Sequence, residues 1–262
     1  MLTPTEFRGL HRPGDPLVLP NAWDLASARW LRAAGHVVVG TTSLGVAYAS
    51  GKPDGAGATA AETHGLAARL TASGITVTVD LEAGFSDDPD EVGRYAARLA
   101  GLGVVGVNVE DSDADGRLVD PESAAAKVRA IATAAPELYV NARTDPFWIG
   151  GDADVTHRTR DAIDRAHRYL AAGASGVFVP GSMPLDVVAR LARDIPAPLN
   201  VLVQPGMSVR DLAGAGVARI STGSLLFRVA LGAMAAAFAG LRVGTFAPDG
   251  ATPSYGEVER SA

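Results

Sequence analysis

The stretch TVTVDLEA, residues 76–83, begins as a β-branched, largely apolar run and ends in two acids, Asp80 and Glu82. A short run of this kind is the form of a strand buried on both faces, as in a parallel sheet covered by helices. Side chains alternate along a strand, so two acids two positions apart are expected on one face, aimed at one point. Like charges held that close raise each other's pKa unless positive charge lies between them, and a divalent cation is the simplest such charge. A pair of solvated loop acids has the same spacing, so the rest of the chain must decide.

Seven further runs share the character of 76–83. They are LVLPNA (17–22), VVVGTTS (37–43), GVNVED (106–111), LYVNART (138–144), GVFVPG (176–181), PLNVLVQ (198–204) and VARISTG (217–223). Between them lie Ala- and Arg-rich segments with helical spacing, such as DLASARWLRAA (24–34) and PDEVGRYAARLAGLG (89–103), several opening on Asp or Pro and closing on Gly. Eight strands alternating with helices predict an α/β fold, a (β/α)8 barrel of TIM type. An open doubly wound sheet would show the same alternation, because pattern alone does not reveal closure. No Pro-, Gly- or Ser-rich linker divides the chain, so residues 1–240 are read as one barrel domain and 241–262 as a C-terminal tail. The Ala-rich SLLFRVALGAMAAAFAGL (224–241) reads as a helix apolar on most faces, suited to burial against another subunit.

Composition narrows the function. With 47% hydrophobic residues among 262, the chain can build a sizeable core. A net charge of -6 with scattered acids and bases offers no basic patch for nucleic acid and no polybasic arm for a membrane. The N-terminal stretch shows no signal-peptide pattern and no run of about 18 apolar residues is evident, so a cytoplasmic protein is expected. The absence of cysteine excludes disulfides, thiolate metal sites and cysteine nucleophiles.

In such a barrel chemistry sits where the strands end. The predicted strands end in TTSLG, DLEAG, NVEDS, NARTD and NVLVQ, which gathers Asp80, Glu82, Glu110 and Asp111 at one rim. With Asp54 from the loop after the second strand, these are hard oxygen ligands suited to Mg2+ or Mn2+, and the lack of clustered His or Cys argues against zinc. Arg143 lies among them and suits either an oxyanion or charge neutralisation. The Ser43–Gly45 turn offers a hydroxyl and backbone N–H groups to an anion. Tyr48, just beyond it, either supplies a hydroxyl or closes the wall. His11, His36, His64, His157 and His167 fall away from strand ends and are expected on the surface or in packing.

These motifs, PNAWDLASARWLRAAG, TTSLGVAYASGKPDG, VDLEAGF, GVNVEDS and NARTD, resemble in order and spacing the isocitrate lyase and phosphoenolpyruvate mutase superfamily, over residues from about 18 to 230. The resemblance implies a Mg2+-dependent barrel, with Mn2+ as alternative, acting on small 2-oxo or 2-hydroxy carboxylates through an enolate. By motif, Asp80 matches the principal metal carboxylate, Glu82 the second acid, Glu110 the acid after the fourth strand and Asp54 an acid near the metal's water shell. Arg143 matches the arginine that bonds the reacting oxygen. Ser43, Leu44 and Gly45 match the turn that holds the substrate carboxylate, and Trp23 and Asp24 a segment beside the pocket. The set implied is therefore Arg143, Asp54 and Tyr48 as catalytic, Trp23, Ser43, Leu44, Gly45, Arg143 and Asn200 as substrate-binding, and Asp80, Glu82 and Glu110 as metal-binding. Family members commonly form tetramers with an exchanged last helix, so a homo-oligomer, tetramer or dimer, is expected.

The chain departs from the family in the lid after the fourth strand. DSDADGRLVDP (111–121) contains no Cys, Lys or His, so neither the lyase proton donor nor the mutase lysine carries over, and Arg117 is its one cation. Pro180 is followed by Gly181 where the lyases have Glu. The function expected is a carbon–carbon lyase. Its alternatives are an oxaloacetate-type decarboxylase or hydrolase, a phosphonate-processing enzyme, or a barrel that keeps an oxoacid pocket without turnover.

Overall fold

In the computed structural model, which describes residues 1–149, 151, 154–244 and 252–261, every predicted strand run contributes to one parallel sheet. The first run is split at Pro20 into β1 (Leu17–Leu19) and β2 (Asn21–Ala22). The others give β3 (Val39–Thr41), β4 (Val77–Asp80), β5 (Gly106–Glu110), β6 (Tyr139–Arg143), β7 (Gly176–Val179), β8 (Leu199–Leu202) and β9 (Arg219–Ser221).

Pro20 explains why nine segments make an eight-strand barrel. β1 pairs with β9 and β2 pairs with β3, so the run changes partner at the residue that has no N–H to donate, while its carbonyl accepts from Gly40 N at 2.8 Å. Since β1 and β2 are consecutive, the ladder from β3 to β9 closes on itself. The result is a nearly closed barrel in place of the open-sheet alternative.

Outside the ring lie α2 (Leu25–Ala33), α3 (Ser43–Ala49), α4 (Ala60–Ala72), α5 (Pro89–Gly101), α6 (Pro121–Ala134), α7 (Pro146–Ile149), α8 (Val155–Ala171), α9 (Leu185–Asp194) and α10 (Val209–Gly214), preceded by α1 (Pro4–Arg8) and followed by α11 (Leu225–Arg242) and α12 (Tyr255–Arg260). The predicted starts are real caps. Asp24, Asp88, Asp120 and Asp154 each accept a backbone N–H in the first turn of the helix that follows, and Pro89 and Pro121 occupy first-turn positions where a missing N–H costs nothing.

Two apolar cores lie between strands and helices, one centred on Val77, Val79, Leu99 and Val107, the other on Val177, Val188, Val201 and Ile220. A third closes the bottom of the barrel, where α1 delivers Phe7 against Leu19, Val38, Val105 and Tyr139. His11 stacks on Tyr139 there, with ring centroids 4.0 Å apart, so it is a packing histidine.

α11 corrects one expectation. Its 18 residues are long and apolar enough to cross a membrane by length and composition. Its first turn, however, belongs to the barrel mouth: Phe227 is buried with its ring edge-on to Trp23, centroids 5.2 Å apart. Of the segment 241–262, residues 245–251 and 262 lie outside the described residues, and 255–260 form α12.

Candidate active site

A cavity of about 340 Å³ opens where the strands end. Its polar wall holds Asp54, Asp80, Glu110 and Arg143, with Ser43 and Leu44 beside them. Six of the residues singled out from the sequence are thus brought to one place.

Asp80 ends β4, and its N–H is held by Thr41 Oγ1 at 2.9 Å, which fixes the strand end at the rim. Burial pushes its carboxyl up to about 6, with Asp54 and Glu82 adding to the rise and Arg143 opposing it. Glu110 ends β5 and is raised as well, by burial first and by the carboxylates around it, against the pull of Arg143. Arg143 ends β6 and is held from two sides: Nη1 lies 2.5 Å from Glu110 Oε2, and Nε donates to Asp145 Oδ1 at 2.7 Å. Burial works against its charge, but Glu110 and Asp145 more than offset that and raise its pKa. Trp148 and Phe178 flank the guanidinium at 5.7 and 5.9 Å from their ring centres. With Nε and Nη1 engaged, Nη2 has no hydrogen-bond partner among the described residues and can meet a ligand.

Five predicted site residues are not in the cavity wall. β4 stops at Asp80, and Glu82 has a φ of +50°, so strand alternation no longer applies and the two acids do not share one point. Glu82 is buried and accepts from Gly57 N at 2.9 Å and Thr59 Oγ1 at 2.5 Å, anchoring the loop that carries Asp54. Those bonds offset the roughly 1 kcal/mol cost of the left-handed backbone. Gly45 lies in α3 behind the wall, where a Cβ would come within 2.5 Å of Trp23 Cβ, so Gly45 and Trp23 pack on each other and neither lines the pocket. Tyr48 is 62% exposed on the outer side of α3 and is not part of the wall. Asn200 is buried one layer below, its amide spent on Val201 O and Arg219 O. Asp111 also turns away, accepting from Thr144 Oγ1, Asp145 N, Tyr169 OH and Arg165 Nη1 and tying the ends of β5 and β6 to α8.

Three wall or support residues escaped the sequence reading. Asp145 is fully buried, accepts from Ser112 Oγ at 2.8 Å and orients Arg143. Asn108 shares the inward face of β5 with Glu110, a parity that 106–111 already carried. Arg228, in the first turn of α11, lines the cavity together with Leu202 and Leu225. Its signal was a cation in the first turn of an otherwise apolar helix after the last strand. Arg117 is exposed and paired with Asp113 and Asp115 in the short lid, which is pinned by a Ser112–Leu118 bridge.

The donor set fits Mg2+ or Mn2+. Asp54, Asp80 and Glu110 outnumber the one cation among them, and burial has raised two of the three, which is the electrostatic state a divalent ion relieves. No group of three or more acids or histidines converges as a cage among the described residues. Mg2+ suits that arrangement, since it takes one or two carboxylates and keeps its waters.

A barrel with carboxylates and an arginine at its strand ends defines an enzyme-type site of the TIM class. The family model of phosphoenolpyruvate phosphomutase matches residues 7–242, and the chain belongs to that family, within the superfamily of phosphoenolpyruvate mutase and isocitrate lyase. The members of this superfamily are lyases and mutases. An uncharacterized protein of Mycobacterium tuberculosis is 47% identical over 229 residues, covering 87% of this chain and 86% of that one. The 2-methylisocitrate lyase of Halalkalibacterium halodurans is 28% identical over 202 residues, covering 74% of this chain and 65% of the lyase. Among solved structures, a proposed phosphonomutase from Burkholderia cenocepacia J2315 superposes with a TM-score of 0.84 at 37% identity, covering 89% of this chain and 98% of that one.

Proposed function

We propose that the protein makes or breaks a carbon–carbon bond in a small 2-oxo or 2-hydroxy carboxylate by stabilising an enolate, with Mg2+ or Mn2+ as cofactor. The observation that carries this reading is the convergence of Asp80, Glu110, Asp54 and Arg143 on one cavity. Asp80 would hold the ion, with Glu110 and Asp54 toward its waters. A divalent ion there supplies positive charge beside the oxygens of an α-oxo acid, where negative charge grows as the adjacent bond breaks.

The protein's own part is positioning. Glu110 and Asp145 lock the Arg143 fork so that Nη2 can donate to the same oxygen, a charge-assisted bond that strengthens as that oxygen becomes anionic. Ser43 and Leu44 border the end of the cavity nearest Asp80 and would receive the substrate carboxylate. Arg228 lines the same cavity and suits a second anionic group, which favours dicarboxylates over simple pyruvate. Trp148 and Phe178 shield the guanidinium from water. The lid offers no Cys, Lys or His as proton donor, and its cation is tied to Asp113 and Asp115, so protonation of the enolate by solvent, as in hydrolytic cleavage, accords better with these residues than donation from the lid. The exposed apolar face of α11 supports the further expectation of a homo-oligomer.

The test is oxalate, a planar mimic of the pyruvate enolate, titrated calorimetrically with and without Mg2+. Tight binding that requires the metal and is lost in Asp80→Asn is expected; absence of binding under both conditions sinks the enolate reading.

A further inference from the structure

The barrel interior beneath the site is polar, where such barrels are usually filled by bulky branched side chains. Asn108, Asn141, Asn200, Arg219 and Ser221 form one hydrogen-bonded layer there, all buried. The orientation of each amide in this layer follows from its neighbours.

The reasoning starts at Asn200. Its Nδ2 faces two backbone carbonyls, Val201 O at 2.9 Å and Arg219 O at 3.1 Å, which can only accept. Its Oδ1 therefore points at Asn141, and the Asn141 atom 3.1 Å away must be the donor Nδ2. The same Nδ2 reaches Asn108 at 2.9 Å, so the Asn108 atom it meets must be Oδ1. Arg219, which has only donors, confirms this from a second side through Nη2, 3.4 Å from that oxygen. A flipped Asn108 would set an NH2 group against two donors. Asn108 is thus held with its oxygen down, and its Nδ2, which has no partner among the described residues, belongs to the side chain's cavity-lining end.

From this geometry we infer that Asn108 is a substrate-binding residue: its Nδ2–H donates to an oxygen of the bound oxo acid at the floor of the cavity, and Asn141 and Arg219 are positioning residues that keep the donor upward. Asn108 pairs in register with Asp80 on one side and Asn141 on the other, and Glu110, paired with Arg143, follows two residues later on the same face, so the donor lies level with Asp80 and one step below Glu110 and Arg143. The ligand it selects has an acceptor oxygen at that place, a carboxylate or carbonyl, in preference to a methyl or methylene. This assignment rests on the enolate reading above.

Two variants of opposite character test it. Asn108→Leu removes the donor without adding charge. Asn108→Asp keeps the acceptor facing Asn141 and gives the buried Arg219 a carboxylate partner, so it is expected to melt at or above the wild-type temperature while it places an oxygen where the N–H was. With Mg2+ present, oxalate affinity should fall about 10- to 100-fold in Asn108→Leu, the range for one hydrogen bond to a charged group, and further in Asn108→Asp. A folded variant of either kind that binds oxalate within about twofold of wild type overturns the assignment. Asp80→Asn separates the two ideas. If wild type binds oxalate through the metal, Asp80→Asn does not, and the Asn108 variants bind normally, the enolate reading stands and the Asn108 assignment falls. If wild type binds no oxalate, both fall together.

Discussion

At the scale of single residues, what matters is what each polar group can reach. Arg143 was placed by its motif, but the grip on it comes from Glu110 and from Asp145, which the sequence showed only as one more acid in NARTD. Glu82 was read as a partner of Asp80 on one strand face, and a single left-handed residue redirects it to the loop of Asp54. His11 carries a prediction of its own. Nδ1 donates to Phe7 O at 3.0 Å and Nε2 is buried with no partner among the described residues, and burial, with Arg219 nearby, lowers its pKa to about 3. The unfolded chain takes up that proton near 6.5, so this group's stability is complete above pH 6.5 and is lost as pH falls toward 3. Between pH 7 and 5 the loss should be about 2 kcal/mol. Urea unfolding of wild type and His11→Leu at both pH values checks it: the difference between the two proteins should shrink at pH 5, because only wild type has this histidine to protonate.

At the scale of elements, α11 is the one whose surroundings do not account for its composition. Met234, Phe238 and Leu241 lie at helical spacing on one face and are 61, 65 and 55% exposed. An apolar stripe of that kind on a helix marks a contact with another surface. The proposed homo-oligomer covers it, and Phe238→Glu is then expected to shift the protein to a smaller species in sedimentation velocity while leaving the barrel's secondary structure intact. A sedimentation profile identical to wild type would remove α11 from the interface. Other elements were legible because their signals are local: an Asp or Ser cap, a Pro in the first turn, a β-branched run of four or five residues. The break at Pro20 was not read as a change of pairing partner, although a proline inside a strand run is the residue type that forces one.

At the scale of the whole molecule, closure of the sheet brings carboxylates separated by dozens of residues into one poorly solvated cavity, and the cost of that shows in the raised pKa values of Asp80 and Glu110. A carboxyl raised in the folded state adds stability below its unfolded pKa, near 4, and that contribution is lost as pH rises through the folded value, about 6 for Asp80. A bound cation reverses the penalty. Mg2+ should therefore raise the melting temperature more at pH 8 than at pH 5, and Asp80→Asn should abolish most of that difference; an equal shift at both pH values would mean that the ion does not bind these carboxylates. The sequence by itself determined the alternation of strands and helices, the caps, the family and the set of residues at strand ends, since each depends on spacing along a few residues or on motifs in order. Only the tertiary structure decided which of those residues meet. Whether Glu82, Asn200 or Tyr48 faces the cavity depends on one backbone angle, one layer of depth or one side of a helix, and Arg228 joins the site from a segment more than a hundred residues from Asp80 and Glu110.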